Sequence, residues 1–148
     1  MIKKKYLIIF LLLFIAKSYS CSCEPRPTLE KSYAEADAIF IGTVISKKVI
    51  SVKYESVNTT QIEYKFRRTK VFKGKSLTEI ITIITGNGRH DCGYMFEINK
   101  KYIVYAYIQN QYYDGGEKVK PFLSTNVCRR TTIYNSVEEK SLDKLGKK

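Results

Sequence analysis

The sequence predicts a mainly β protein: a closed five-stranded antiparallel barrel of the oligonucleotide/oligosaccharide-binding type, with one short helix before it and another after it. Three observations carry this expectation. Five or six runs rich in Ile, Val, Tyr and Phe are separated by polar turns, several of them bearing glycine. Some of these runs alternate apolar and polar residues, the pattern of a sheet with one face in a core. A glycine, Gly42, interrupts the first run where a small barrel needs a bulge or sharp bend to close.

In chain order, residues 1–20, MIKKKYLIIFLLLFIAKSYS, read as a signal peptide. Three lysines precede an uncharged run from Tyr6 to Ala16, and the segment closes on the small residues Ser18 and Ser20. The run is shorter than the roughly 20 apolar residues of a membrane-spanning helix. No later stretch approaches that length, so a secreted or periplasmic domain without a transmembrane segment is expected. Cleavage after Ser20 would make Cys21 the first mature residue. A lipoprotein anchored through Cys21 is the rival reading, but Ser18 stands where such signals usually carry a Leu-like residue.

The remaining 128 of the 148 residues suit one domain, with the barrel expected over 21–135 and a helical tail over 136–148. Pro25 and Pro27 keep the chain extended, after which LEKSYAEAD reads as a helix. Thr28 is its N-cap, and Leu29, Tyr33 and Ala36 fall at helical spacing. AIFIGTVIS (38–46) is the expected first core strand. KKVISVKYES (47–56), QIEYKFRRTKVFKG (61–74), TEIITIIT (78–85), KYIVYAYI (101–108) and EKVKPFLST (117–125) follow, with turns at NTT, KGKS, GNGRHD, EINK and YYDGG. Ile62, Tyr64 and Phe66 should face the core while Gln61, Glu63 and Lys65 face away. Ile80, Ile81, Ile83 and Ile84 should be buried on both faces of their strand. The tail, SVEEKSLDKLGKK, reads as a helix capped by Ser136 with Glu139 completing a capping box. Its apolar content is thin, which predicts weak packing.

The signal holds four lysines and no acid, so its removal lowers the net charge from +12 to +8. The basic residues are spread along the chain, which points to a lysine-rich solvated surface and not to a nucleic-acid site. An anionic polymer stays a candidate partner. All four cysteines lie in the mature part, and an even number in an exported chain reads as two disulfides. Cys21 and Cys23 are too close to pair with each other without strain, so each should reach Cys92 or Cys128.

Conventional chemistry finds few parts here. Cys21, Cys23, His90 and Cys92 could form a Cys3His zinc set, but the C-x-C and H-x-C spacings are tighter than structural zinc sites use. Cys-Ser-Cys is no C-x-x-C redox motif. With one histidine, His90, and no nucleophile motif, a hydrolytic triad is not expected. No cofactor is implied. The tyrosines and phenylalanines read as core and cross-strand packing before they read as a stacking surface.

The stretch CSCEPRPTLEKSYAEADAIFIGTVIS at the expected mature terminus, the midchain CGY at 92–94 and the late Cys128 together resemble the N-terminal inhibitory domain of the tissue inhibitors of metalloproteinases, and more broadly the netrin-like module. The resemblance spans nearly all of 21–130. It implies a five-stranded barrel and the pairings Cys21–Cys92 and Cys23–Cys128. It also implies that the protein is not an enzyme but a monomeric inhibitor whose partner is a zinc metalloprotease. The α-amino nitrogen and carbonyl oxygen of Cys21 would chelate the protease's zinc, and Ser22 would enter its specificity pocket. Cys23, Glu24 and Pro25 would complete the wedge, and the only metal involved would be the partner's. Against the family pattern, no cysteine stands near Tyr33 to begin a third disulfide, and Glu24 puts a charge beside the wedge. A non-inhibitory netrin-like module that binds a polyanion or another exported protein is the alternative.

Overall fold

The computed structural model describes residues 21, 23, 25–54, 56–74, 77–88 and 91–147. The expected signal peptide, Ser22, Glu24 and His90 lie outside the described residues.

Helix α1, Leu29–Glu35, begins where Thr28 predicts: its side-chain oxygen accepts from the Lys31 amide at 3.2 Å. The other end is closed from a distance. Lys73 Nζ donates to the carbonyls of Tyr33 at 2.8 Å and Ala34 at 2.9 Å, satisfying acceptors the helix leaves open.

Strands β1, Ala38–Tyr54, and β2, Val57–Lys73, pair antiparallel from Ile39↔Lys73 to Tyr54↔Val57. The sequence suggests two strands over the length of β1 and a turn at 58–60, but the ladder runs on without a break. β-Branched residues fill it (Val49 opposite Ile62, Val52 opposite Thr59), and the chain reverses only next to Ser56. The register shifts between Ile39 and Phe40, between Ile41 and Gly42, and between Val44 and Ser46. Gly42 is buried at this bend, where a Cβ would stand 3.1 Å from the Phe40 ring and 3.2 Å from the Arg67 carbonyl oxygen.

Strands β3 (Ile80–Gly86), β4 (Lys101–Gln109), β5 (Phe122–Ser124) and β6 (Thr132–Ile133) complete the sheet. The hydrogen-bonded order β1-β2-β3-β5-β4 returns to β1 through Ala38↔Ala106 to Thr43↔Lys101, so five strands form a closed ring with β6 added beside β4. Four of the five seams are antiparallel. The fifth, β3 with β5, is parallel and spans Ile83↔Leu123 and Ile84↔Ser124. The strand expected over 117–125 shrinks to three residues because Pro121 offers no amide to the ladder.

Two cores explain the sequence pattern. Inside the ring, Phe40, Val44, Tyr64, Phe66, Ile83 and Val104 pack with Phe96 and Tyr102. Outside it, Ile39, Ile41, Ile103 and Tyr105 meet Ala36 and Leu142 from the helical segments. β1 and β4 therefore read as continuous apolar runs, since both their faces are covered, whereas β2 alternates. Ile80 departs from expectation and is 37% exposed: it opposes Arg67 on the outer wall, where no helix lies.

Helix α2, Ser136–Leu145, is capped by Asn135, whose Oδ1 accepts from the Glu138 amide at 2.8 Å. The cap thus lies one residue before the expected Ser136, and Glu138 takes the position assigned to Glu139. Glu139 instead accepts from Tyr134 at 2.7 Å and Lys70 at 2.9 Å. The expected weak packing is also corrected. One fully buried leucine, Leu142, and one buried acid, Glu138, dock the helix, because the outer faces of β1 and β4 present an apolar floor to it.

Candidate functional site

β3 ends at Gly86 and the chain turns back toward Cys92 around the carboxylate of Asp91. Its Oδ2 accepts from the Asn87 amide at 2.8 Å, and its Oδ1 from the amides of Gly88 at 3.0 Å and Gly93 at 3.3 Å. Cys92 itself lies in the left-handed region with φ 56°. Gly93 is buried, and a Cβ on it would run into the backbone of Gly86. The glycine of the CGY motif thus lets two backbones touch.

A second loop, 125–131, is welded to the first. Gly93 bridges Asn126, and the Val127 amide donates to the Cys92 carbonyl at 3.0 Å. Thr85 Oγ1 donates to the Thr125 carbonyl at 2.7 Å and accepts from the Tyr94 amide at 3.0 Å. The Thr125 and Thr131 hydroxyls meet at 2.9 Å, and Thr131 Oγ1 also accepts from the Tyr105 amide at 3.0 Å. Asn126 Oδ1 accepts from the Cys128 amide at 3.0 Å. These bonds satisfy polar groups buried at one end of the ring and fix Cys92 and Cys128 relative to it.

The N-terminal segment is fastened to this platform. Cys21 is bonded to Cys92 and Cys23 to Cys128, with Cα atoms 5.6 and 5.1 Å apart, the same two pairings that the resemblance implies. Cys21 is half-buried, while Cys23 and Pro25 are exposed. With Cys21, Cys23 and Cys92 committed to disulfides, the Cys3His zinc set lacks its thiolates. Among the described residues, no group of three or more His, Cys, Asp or Glu is placed to hold a metal.

Residues beyond the cysteines hold the same segment. Arg26 donates from Nη2 to the Arg130 carbonyl at 3.0 Å, and Arg130 donates from Nη1 to the Pro27 carbonyl at 3.0 Å. The Arg130 guanidinium also grips both oxygens of Glu138, its Nη2 lying 2.8 Å from Oε2. Tyr105 donates to Glu138 Oε1 at 2.6 Å. Burial pushes the Glu138 carboxyl up, but the bonds from Arg130 and Tyr105 outweigh it and hold the group below the ordinary carboxylate range. Burial, then the Glu138 carboxylate, pushes the Tyr105 hydroxyl far above the ordinary tyrosine value, so it stays a neutral donor. Nothing in the sequence distinguishes Arg130 from the other arginines, and Glu138 reads there as a helix-surface acid.

A groove of about 620 Å³ runs between Tyr54 and Thr59 near the end of the β1–β2 hairpin and the loops carrying Asp91 and Tyr113. It adjoins the Cys92 loop. Tyr102 and Tyr105 of YIVYAYI are buried and Tyr64 is fully enclosed, so these rings serve packing and not a stacking surface.

No helix among the described residues is long and apolar enough to cross a membrane, and two disulfides fit a chain that folds in an oxidising compartment. No curated protein matches the sequence. The family model described as tissue inhibitor of metalloproteinase matches residues 19–139, a span that takes in all four cysteines and every strand of the ring. The disulfide-held terminus, the closed five-strand ring and this match lead to one assignment: the chain belongs to the tissue inhibitor of metalloproteinase family.

Proposed function

We propose that the mature protein, beginning at Cys21, inhibits a zinc metalloprotease by chelating its catalytic zinc through the Cys21 α-amino nitrogen and carbonyl oxygen. The observation that carries this is the fastening of Cys21 to Cys92 at the edge of a rigid platform, within a chain of the inhibitor family. A catalytic zinc keeps one position for water, and an amine and carbonyl on one residue can displace that water together. An ordinary α-amino pKa near 8 leaves an appreciable neutral fraction at physiological pH. Because the disulfides hold the chelating residue before binding, little further order is lost in the complex. Ser22 would enter the specificity pocket, with Cys23, Glu24 and Pro25 along the cleft.

The test is inhibition of a panel of zinc endopeptidases by protein whose first residue is Cys21. Inhibition is expected, and adding one alanine before Cys21 should weaken it by more than about a hundredfold, as losing a central contact does. Failure of the Cys21 form against the whole panel refutes the proposal.

One observation favours a second reading, binding of an anionic polymer. Lys48, Lys65 and Arg67 are exposed on the same outer wall of β1 and β2, interrupted by Glu63. Retention on a sulfated-polysaccharide column that falls steeply with salt would support it, and salt-independent or absent retention would remove it.

A further inference from the structure

Among the described residues of 21–27, no backbone-to-backbone hydrogen bond ties the segment to the ring; the first such bond is the Ser32 amide to the Thr28 carbonyl, inside α1. Among the described residues, what locates the segment is therefore the two disulfides and the side chains of Arg26 and Arg130. A disulfide at Cys23 fixes one point, and Pro25 and Pro27 fix their own φ, which leaves the remaining backbone dihedrals of 25–28 to be set by something else. Arg26 and Arg130 supply that second fix reciprocally, each donating to a carbonyl of the other segment.

Arg130 has no fixed direction of its own. Its side chain is 18% exposed and is aimed by Glu138, which is 10% exposed and comes from α2. The position of Glu138 is set in turn by the Asn135 cap, by the Tyr105 hydroxyl and by Leu142 buried one turn further along the helix. A continuous chain of contacts thus runs from α2 through Glu138 and Arg130 to the Pro27 carbonyl, four residues after Cys23.

We propose that α2 is a positioning element for the N-terminal segment: the Glu138–Arg130 pair holds Pro27, and through it the direction in which Cys21, Cys23 and Pro25 leave the platform. This rests on the inhibitory reading for its consequence in binding, though not for its structural part. Arg130 and Glu138 are positioning residues that need not touch a protease. The guanidinium is required because three of its five coplanar N–H donors are used at once, two for the carboxylate and one for the carbonyl. A lysine could keep the ion pair and the docked helix yet could not also reach Pro27.

The test uses Arg130→Lys and Glu138→Gln in the full mature protein, with backbone amide NMR relaxation and inhibition measured side by side. In Arg130→Lys, the order parameters of the Arg26 and Thr28 amides should fall below about 0.6, the range of a flexible backbone, while the α2 amide of Leu142 keeps its order and its protection from hydrogen exchange. Inhibition should weaken about tenfold as the segment loses its preorganisation. Glu138→Gln should loosen both the segment and α2. Unchanged order parameters at Arg26 and Thr28 in both variants overturn the proposal, as does loosening in Arg130→Lys only together with loss of protection at Leu142, which is simple unfolding. If the unmodified protein inhibits no protease, the inhibitory reading fails, and the relaxation result still decides whether α2 positions the segment.

Discussion

Replacing Gly93 by alanine tests the platform most directly. The new Cβ would fall on the backbone of Gly86, where no flexible side chain can yield, so the 86–93 turn must open. Opening it breaks the Gly93–Asn126 bridge and pulls on two further bonds, the Val127 amide to the Cys92 carbonyl and the Tyr94 amide to Thr85 Oγ1. At about 1 kcal/mol net for each, the loss should be about 3 kcal/mol. With a urea slope of about 2 kcal/mol per molar for a chain of this size, the unfolding midpoint should fall by about 1.5 M. The measurement is equilibrium urea unfolding followed by tyrosine fluorescence and far-UV circular dichroism, with disulfides intact. A midpoint shift below about 0.3 M would refute the reasoning, because the two backbones would then have room to separate without breaking anything.

Other perturbations read other parts of the molecule. Leu142→Ala should cost about 3 kcal/mol and lower the melting temperature by about 10 °C; a drop below about 3 °C would mean that α2 is not docked through this side chain. The Glu138 carboxyl is held below its ordinary value in the folded protein. Its contribution to stability should therefore be complete above the unfolded-state pKa of about 4.3 and be lost as the pH falls through the lower folded value. Urea midpoints measured from pH 7 to pH 3 should fall less steeply for Glu138→Gln than for the unmodified chain. Glu139 shares the downward shift but is present in both proteins, so it cancels in the comparison. Identical slopes would contradict the assignment of the shift to Glu138.

The strands were legible wherever burial on one or two faces left a period in the sequence. Ile62, Tyr64 and Phe66 alternate because β2 has one dry face, and AIFI and YIVYA are continuous because β1 and β4 have two. Gly42 announced the bend that closes the ring. Strand ends were harder to read. The turn expected at 58–60 is ladder, because the threonines there pair as readily as they turn, and the strand expected over 117–125 is mostly loop. The cap of α2 slipped by one residue because Asn135 and Ser136 are both good N-caps and the sequence alone does not rank neighbours.

The sequence by itself determined the local and additive features: which residues are dry, where the chain must bend, and that Cys21 and Cys23 must look for distant partners. It also carried the family resemblance, because that is written in short motifs at the terminus and at 92–94. Tertiary structure decided what depends on residues a hundred positions apart meeting in three dimensions. Arg26 and Arg130 are 104 residues apart, and nothing local to either marks it as a partner. Glu138 looks like an ordinary helix acid until the fold sets Tyr105, 33 residues earlier, and Arg130 against it. Periodicity records the environment of one residue at a time, whereas a hydrogen-bonded network exists only once its members have been brought to bonding distance.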